Sequence, residues 1–438
     1  MTLSVDSSTK FQTIDGFGGA GVFQDPPGYP TSTSNHLYAT LGLNIFRSEL
    51  CTVFTPSIQG WPLIGGTPDG PGDFSVEKQA YDAGCRKFLV SVWINGTDTD
   101  GAGPFSWNSG GNNSVLDTGH YDDACTAITD FLSRLLAAGV TNAKLYVSPA
   151  NEPDITPSYP QTQWSTSQLI TFVKSHLGPA LATWGAAHST WQAASGQTAP
   201  QIIVAEVSQW SSFATWVAAF EADSIALGYI GYYATHQYAG GSVSAPPGTI
   251  SRPIWQTECS GQDAFSSNMS NGMTVAGWIH NALTTGNAQA WLWWVMESDN
   301  DTTNGGLIGS ITTPSILTKR SYVLGNYAKF ITPTSQRINA TSAPSGVNIT
   351  AFLRPDKNIV IVCVNTNGTS TALSVSLTSI AVSNFTPWIT DANNNLTKHS
   401  SIAVSSNTFS ATLNATSVTT FISDIATTVS TSFITFSH

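Results

Sequence analysis

Ala143-Lys144-Leu145-Tyr146-Val147-Ser148-Pro149-Ala150-Asn151-Glu152-Pro153-Asp154 is a short apolar run that ends in an acidic turn bracketed by prolines. Ile254-Trp255-Gln256-Thr257-Glu258, which follows Arg252-Pro253, repeats the pattern. A carboxylate at the end of a buried strand is held by rigid backbone and points into whatever lies beyond the strand. Further runs of the same kind fall at 14–20, 44–50, 86–94, 201–207, 229–237 and 289–296; with 143–150 and 253–258 they make eight. Most are apolar without alternation, which is how parallel strands covered on both faces read.

The segments between them are amphipathic. Over 122–138, Ile128, Phe131, Leu132, Leu135 and Leu136 share one face, and Gly139 ends the run. Over 165–183, Ser165 with Gln168 predicts a capping box, and Leu169, Phe172, Val173 and Leu177 predict the buried stripe. Eight such strand–helix units predict a (β/α)8 TIM barrel over residues 14–330, whose functional groups sit at the C-terminal ends of the strands. A doubly wound open sheet competes, but Gly16-Phe17-Gly18-Gly19 lacks the G-x-G-x-x-G spacing and no helix follows it at once.

After residue 330 the pattern changes. Segments 347–354, 358–365, 371–377, 385–390, 401–404, 408–413 and 417–423 are short, rich in Val, Ile, Thr and Phe, and separated by Asn, Gly, Asp and Pro. They predict a side β-sandwich over 331–424, with residues 1–13 supplying a strand to it. The stretch 425–438 reads as a Ser/Thr-rich tail.

The 438 residues are 41% hydrophobic and only 10% charged, with formal net charge -11 and a sequence pI near 5.0. Nucleic acid is a poor partner for such a surface, because phosphates call for clustered Lys and Arg. No apolar stretch is long enough to span a bilayer. No signal peptide opens the chain, so Met1 reads as an expression start on a mature protein. Ten Asn-X-Ser/Thr sequons, at Asn95, Asn112, Asn268, Asn300, Asn339, Asn348, Asn367, Asn384, Asn395 and Asn414, favour a secreted, glycosylated protein. Cys51, Cys85, Cys125, Cys259 and Cys363 show no close metal-type pair, and Cys85 and Cys259 read as small buried apolar residues. The histidines show no metal spacing either. No metal and no other cofactor is expected, and a monomer is.

Two strand-end carboxylates on one barrel are the equipment for cutting a glycosidic bond. One carboxylic acid protonates the leaving oxygen, and one carboxylate attacks the anomeric carbon or activates water. Glu152 is presented by Pro153, and Asn151 beside it is placed to bond a sugar hydroxyl. A basic partner for Glu258 is less expected than usual in a chain with so few Lys and Arg. Glu206, ending Val204-Ala205-Glu206, is a third strand-end carboxylate, for which a structural role outweighs a catalytic one. Arg47 either supports a nucleophile electrostatically or pairs with a nearby acid. Trp93, Trp164, Trp210, His236, Tyr238, Trp291, Trp293 and Trp294 crowd the strand ends, where aromatic faces stack on sugar rings or pack as core. At least one of Trp291, Trp293 and Trp294 belongs to the core, because alternate strand residues face opposite sides.

Together these residues resemble glycoside hydrolase family 30, in particular its β-1,4-xylanase subfamily. The likeness runs from Phe11-Gln12-Thr13-Ile14-Asp15-Gly16-Phe17-Gly18-Gly19 to about Ser423. It passes through Ser148 to Asp154, Thr235-His236-Gln237-Tyr238, Trp255 to Glu258, Ile279-His280-Asn281-Ala282, Trp293-Trp294, Lys319-Arg320-Ser321-Tyr322 and Ser417-Val418-Thr419-Thr420-Phe421. The resemblance implies a barrel with a fused side sandwich and a retaining mechanism, with Glu152 the acid/base and Glu258 the nucleophile. It maps Arg47, Trp93, Asn151, Trp164, His236, Tyr238 and Trp294 onto the substrate cleft. The substrate it implies is a plant cell-wall polysaccharide, foremost xylan cut internally. Alternatives within the family are a β-1,6-glucanase, a β-1,6-galactanase or an exo-acting xylobiohydrolase. From another class, a non-catalytic carbohydrate-binding wall glycoprotein has no need of both glutamates. One departure stands out: relatives that require glucuronate carry an Arg-containing loop after the eighth strand. Here that stretch reads Met296-Glu297-Ser298-Asp299-Asn300-Asp301-Thr302-Thr303. It argues against strict glucuronate dependence.

Overall fold

The computed structural model describes residues 2–21, 29–52, 74–94, 115–157, 161–238, 242–248, 250–261, 263–297, 303–309 and 316–425. Strand β1 (Thr2–Thr13) leads into eight strands that close a barrel: β2 (Gly16–Ala20), β3 (Ile45–Thr52), β4 (Lys87–Ile94), β5 (Lys144–Ser148), β6 (Gln201–Val207), β7 (Ile230–His236), β8 (Ile254–Glu258) and β9 (Ala290–Trp293). Each pairs in parallel with its successor, and β9 returns to β2. The eight parallel strands decide for the barrel over an open sheet.

Alternation along the strands builds two apolar layers. Facing inward are Ile45, Leu89, Tyr146, Ile203, Ala234, Trp255, Ala290 and Leu292, all buried. Facing outward, Phe46, Phe88, Val90, Val147, Ile202 and Val204 join the shell of helices. That shell includes Tyr121–Ala137, with Ile128, Phe131, Leu132 and Leu135 buried, and Thr166–Phe172, which carries the capping box between Ser165 and Gln168. Gly18 serves packing, not phosphate binding: a Cβ there would lie 1.9 Å from the Ile45 carbonyl oxygen, so only glycine lets β2 approach β3 so closely.

The lower end of the barrel is plugged by polar and aromatic groups. Lys87 Nζ donates to Asp15 Oδ1 at 2.6 Å, and Trp255 Nε1 donates to Asp15 Oδ2 at 3.0 Å. Trp255 packs against Tyr146 and Tyr232, with ring centroids 4.8 and 4.9 Å away. With these groups engaged with one another below, the strand-end glutamates lie at the opposite, C-terminal rim.

A short hairpin of β10 (Ile308–Gly309) and β11 (Ile316–Leu317) precedes a second sheet. Its strands are β12 (Gln336–Thr341), β13 (Val347–Leu353), β14 (Ile359–Asn365), β15 (Thr371–Thr378), β16 (Val382–Thr390), β17 (Thr397–Lys398), β18 (Ile402–Ala403), β19 (Thr408–Leu413) and β20 (Ser417–Ile425). The order is β17-β16-β20-β14-β13-β12-β1-β15-β19, with β18 also on β16. β1 pairs antiparallel with β12 and parallel with β15. The sheet curls over its own core of Leu3, Val5, Ile361, Val375, Phe385, Phe409 and Phe421. Its other face, with Phe352, Val360, Val362 and Val418, packs into the barrel's main core. The architecture is therefore a TIM barrel with a fused, curled β-sandwich. β12 and β17 lack the apolar density of the other strands, which hid them in the sequence.

Cys85, Cys125, Cys259 and Cys363 are buried and unpaired. The tail from 426 and the sequons at Asn95, Asn112 and Asn300 lie outside the described residues.

Candidate active site

Five ionisable side chains meet inside the C-terminal mouth of the barrel, each from a different strand or the turn after it. Arg47 comes from β3, Glu206 from β6, His236 from β7 and Glu258 from β8, and Glu152 follows β5. All are at most 5% exposed.

Arg47 is the hub. Its Nε donates to Glu206 Oε1 at 3.1 Å and its Nη1 to Glu258 Oε2 at 2.7 Å. Its Nη2 donates to Asn151 Oδ1 at 2.9 Å and to Ser91 Oγ at 3.1 Å. The guanidinium also lies over Trp93, 4.8 Å from the ring centroid, and 5.6 Å from that of Trp294. Arg47 pairs with acids, and one of them is Glu258. The scarcity of basic residues was thus a misleading guide to Glu258, because one buried arginine suffices to pair with it.

Tyr238 donates its hydroxyl to Glu258 Oε1. His236 Nδ1 lies 2.9 Å from Glu152 Oε1 and 3.8 Å from Glu258 Oε1, and its Nε2 lies 3.7 Å from Glu206 Oε1. Ser91 donates to Glu206. Trp93 and Trp294 flank one another with centroids 5.9 Å apart. Trp291 and Trp293 go to the main core instead, as does Trp164, which stacks on Phe172 at 5.2 Å and lies against Tyr121 at 5.9 Å. Trp164 therefore sits in an aromatic group separate from the charged cluster.

The backbone at two of the glutamates is left-handed, with φ 42° at Glu152 and φ 47° at Glu206. Non-glycine residues adopt this region at a cost and do so where the surroundings over-determine it. Here Glu152 N donates to the Glu206 carbonyl at 2.9 Å, and Gln161 Nε2 donates to the Glu152 carbonyl at 3.0 Å. The two strained residues brace each other.

The charges shift one another. Burial opposes the charged form of Arg47, yet Glu206 and Glu258 outweigh it and raise its pKa. Burial likewise disfavours a cationic His236, but Glu258, Glu152 and Glu206 around it push it up to about 10. Glu206 is held well below the usual carboxylate range: burial would raise it, and Arg47, His236 and Ser91 prevail. Burial raises Glu258, with Glu152 adding to the rise and His236 and Arg47 opposing it.

Glu152, His236 and Glu258 each offer an atom within 4.8 Å of the others, a spacing that a metal ion can bridge. The donor set does not suit one. A divalent ion would face a cationic His236 and Arg47, and both oxygens of Glu258 already accept hydrogen bonds.

Sequence reading assembled Glu152, Glu258, Arg47, Asn151, His236, Tyr238, Trp93 and Trp294 into what proves one cluster. It missed Ser91 and Gln161. Ser91 had a signal, a lone hydroxyl in the apolar run Phe88-Leu89-Val90-Ser91-Val92, whereas Gln161 had none. In the stretch after β9, Glu297 is not offered to the cleft: it is 1% exposed, accepts from Thr33 Oγ1 at 3.3 Å, and is pushed by burial up to about 7. Asp299 and Asp301 lie outside the described residues.

Residues 334–421 match the glycosyl hydrolase family 30 beta sandwich domain. Over 305 residues the chain is 26% identical to the glucuronoxylanase XynC of Bacillus subtilis, an alignment that covers 67% of this chain and 64% of that protein. The chain is thus similar to glycoside hydrolase family 30, both in its sandwich domain and in this relative. Its backbone also follows solved members of the family. The subfamily 8 xylanase Xyn30A of Clostridium acetobutylicum superposes with TM-score 0.75 at 23% identity, over 97% of this chain and 99% of that one. The catalytic domain of the family 30 xylanase C of Talaromyces cellulolyticus superposes with TM-score 0.76 at 22% identity, over 97% and 100%. At these identities the superpositions speak for the family 30 fold alone.

Proposed function

We propose that this chain is a retaining glycoside hydrolase that cuts within β-1,4-linked xylan, outside the cell. The observation that carries the reading is the approach of Glu152 and Glu258, whose nearest oxygens lie within 4.8 Å of each other. Retaining enzymes hold their two carboxyl groups roughly 5–5.5 Å apart, whereas inverting ones leave room for a water at roughly 6.5–9.5 Å. Glu258 has the environment of the nucleophile. Arg47 and Tyr238 both bond its oxygens, fix its rotamer and stabilise its ionised form. Glu152 is left as the group that gives its proton to the leaving oxygen. His236 orients it, and Glu152 later takes a proton from the water that releases the sugar. Trp93 and Trp294 offer aromatic faces at the same mouth for the apolar side of a sugar ring. The curated relative's name supports xylan as the backbone.

The deciding test is NMR of the product anomer formed first on β-xylan or xylooligosaccharide. The β-anomer is expected. An α-anomer appearing ahead of mutarotation would make the mechanism inverting, and no cleavage of any β-glycan would end the reading.

The branch preference is the second part of the proposal. The stretch 296–303 contains no Lys or Arg to hold a glucuronate carboxylate, and besides the buried Glu297 its sequence brings Asp299 and Asp301. Like charges at close range repel. Initial rates on glucuronoxylan are therefore expected to be the same, within about twofold, before and after its carboxyls are reduced to alcohols. A large loss of rate on reduction would show that another basic residue grips the branch.

A further inference from the structure

Glu206 touches no reacting atom on the proposed reading, yet it is fully buried within the charged cluster. It is not there for packing, because a buried carboxylate is among the most costly groups to desolvate. The groups that face it among the described residues are Arg47 from β3, Ser91 from β4 and His236 from β7. Arg47 and His236 are also the two cations that contact Glu258 and Glu152. Together these groups contain two positive charges and three carboxyls.

We propose that Glu206 is a positioning residue that sets the proton count of the Glu152–Glu258 pair, an inference that rests on the glycosidase reading above. The argument is a charge count. Arg47 and His236 bring two positive charges, and Glu206 cancels one. A single positive charge is left to face the pair. The neutral state of the buried cluster then has one carboxylate and one carboxylic acid on that pair, which is what a retaining reaction needs before the first step. Without the Glu206 charge, two cations face the pair and favour loss of its remaining proton. The acid would be spent before the sugar arrived. The main-chain bond from Glu152 N to the Glu206 carbonyl is untouched by a side-chain substitution, so charge and backbone support are separable.

The experiment is the pH profile of kcat/KM on undecorated xylooligosaccharide, whose alkaline limb reports loss of the essential acid's proton. Glu206→Gln keeps the shape and removes the charge. Its alkaline limb is expected to move to lower pH by about one to two units, the size of one charge removed roughly 6–12 Å away in a site of effective dielectric near 20. Glu206→Asp keeps the charge, so its limb should stay within about half a unit of the wild type even where kcat drops. The double variant Glu206→Gln/His236→Asn removes one anion and one cation and should return the limb toward the wild-type position.

A merely structural role would lower kcat in all three variants and move no limb, and that result overturns the proposal. If Glu206→Gln does not fold, the charge-balanced double variant carries the test. It is expected to fold with a wild-type limb, and a double variant that is unfolded or has a shifted limb also overturns the proposal. Wild-type protein that turns over xylan with an unmoved Glu206→Gln limb sinks this inference alone. Wild-type protein inactive on every β-glycan sinks the glycosidase reading and this inference with it.

Discussion

Glu258→Gln is expected to lower turnover by at least about 10^4-fold while leaving oligosaccharide affinity within a few-fold of the wild type. The substitution removes the attacking oxygen's charge and almost no volume. Its amide still accepts from Arg47 or Tyr238, so the cluster keeps its shape. Single-turnover kinetics with calorimetric binding separates the two quantities. The companion variant assigns the roles. Glu152→Ala should also be severely slowed, but azide should restore activity on an aryl glycoside whose leaving group departs without protonation, with retained configuration. Azide attacks the glycosyl-enzyme without the help of a base. If azide instead rescues the Glu152 variant with inverted product and an alanine variant of Glu258 with retained product, the two roles are exchanged.

Arg47→Leu is expected to cost the protein about 3–5 kcal/mol of stability and to abolish activity as well. Few single positions in the barrel should cost as much. Arg47 is the group that allows Glu206 and Glu258 to be buried together, with bonds at 3.1 and 2.7 Å. A leucine fills part of the space and leaves two acids with only His236 between them. Arg47→Lys should recover little of this. An ammonium has no planar fork to reach Glu206, Glu258, Asn151 and Ser91 at once. Denaturant unfolding is the measurement. The loss should also depend on pH, shrinking as the solution is acidified through the range where the stranded carboxylates gain protons. A Leu variant as stable as the wild type at neutral pH would mean that the acids are already neutral in the native protein.

Much of the barrel was legible because it is written in local pattern. The runs at 86–94 and 201–207 are mostly apolar on both faces and are followed by turn residues, and a parallel barrel strand is what such a run becomes. Ser165 and Gln168 announced a helix start by a contact three residues long, and local contacts survive in any fold. β12 and β17 were not legible. Gln336-Arg337-Ile338-Asn339-Ala340-Thr341 has a single large apolar residue and becomes a strand because β1 and β13 lie on either side of it.

What the sequence determined by itself was the inventory: eight strand ends, three of them closed by glutamate, in a chain too poor in charge for its acids to be incidental. What the tertiary structure decided was where those acids point. Period-two alternation from Ile203 and Trp255, both inward, would bring Ala205 and Thr257 to the barrel interior and turn Glu206 and Glu258 away. Register shifts between Ala205 and Val207, and opposite Thr235 and His236, turn the glutamates inward instead. The left-handed backbone of Glu152 and Glu206 then locks the two together. Such irregularities are fixed by closing the barrel around a buried arginine whose partners come from 44 to 211 residues away along the chain. Local sequence carries no trace of contacts at that range, so the charge balance that makes the site work exists only once the strands have met.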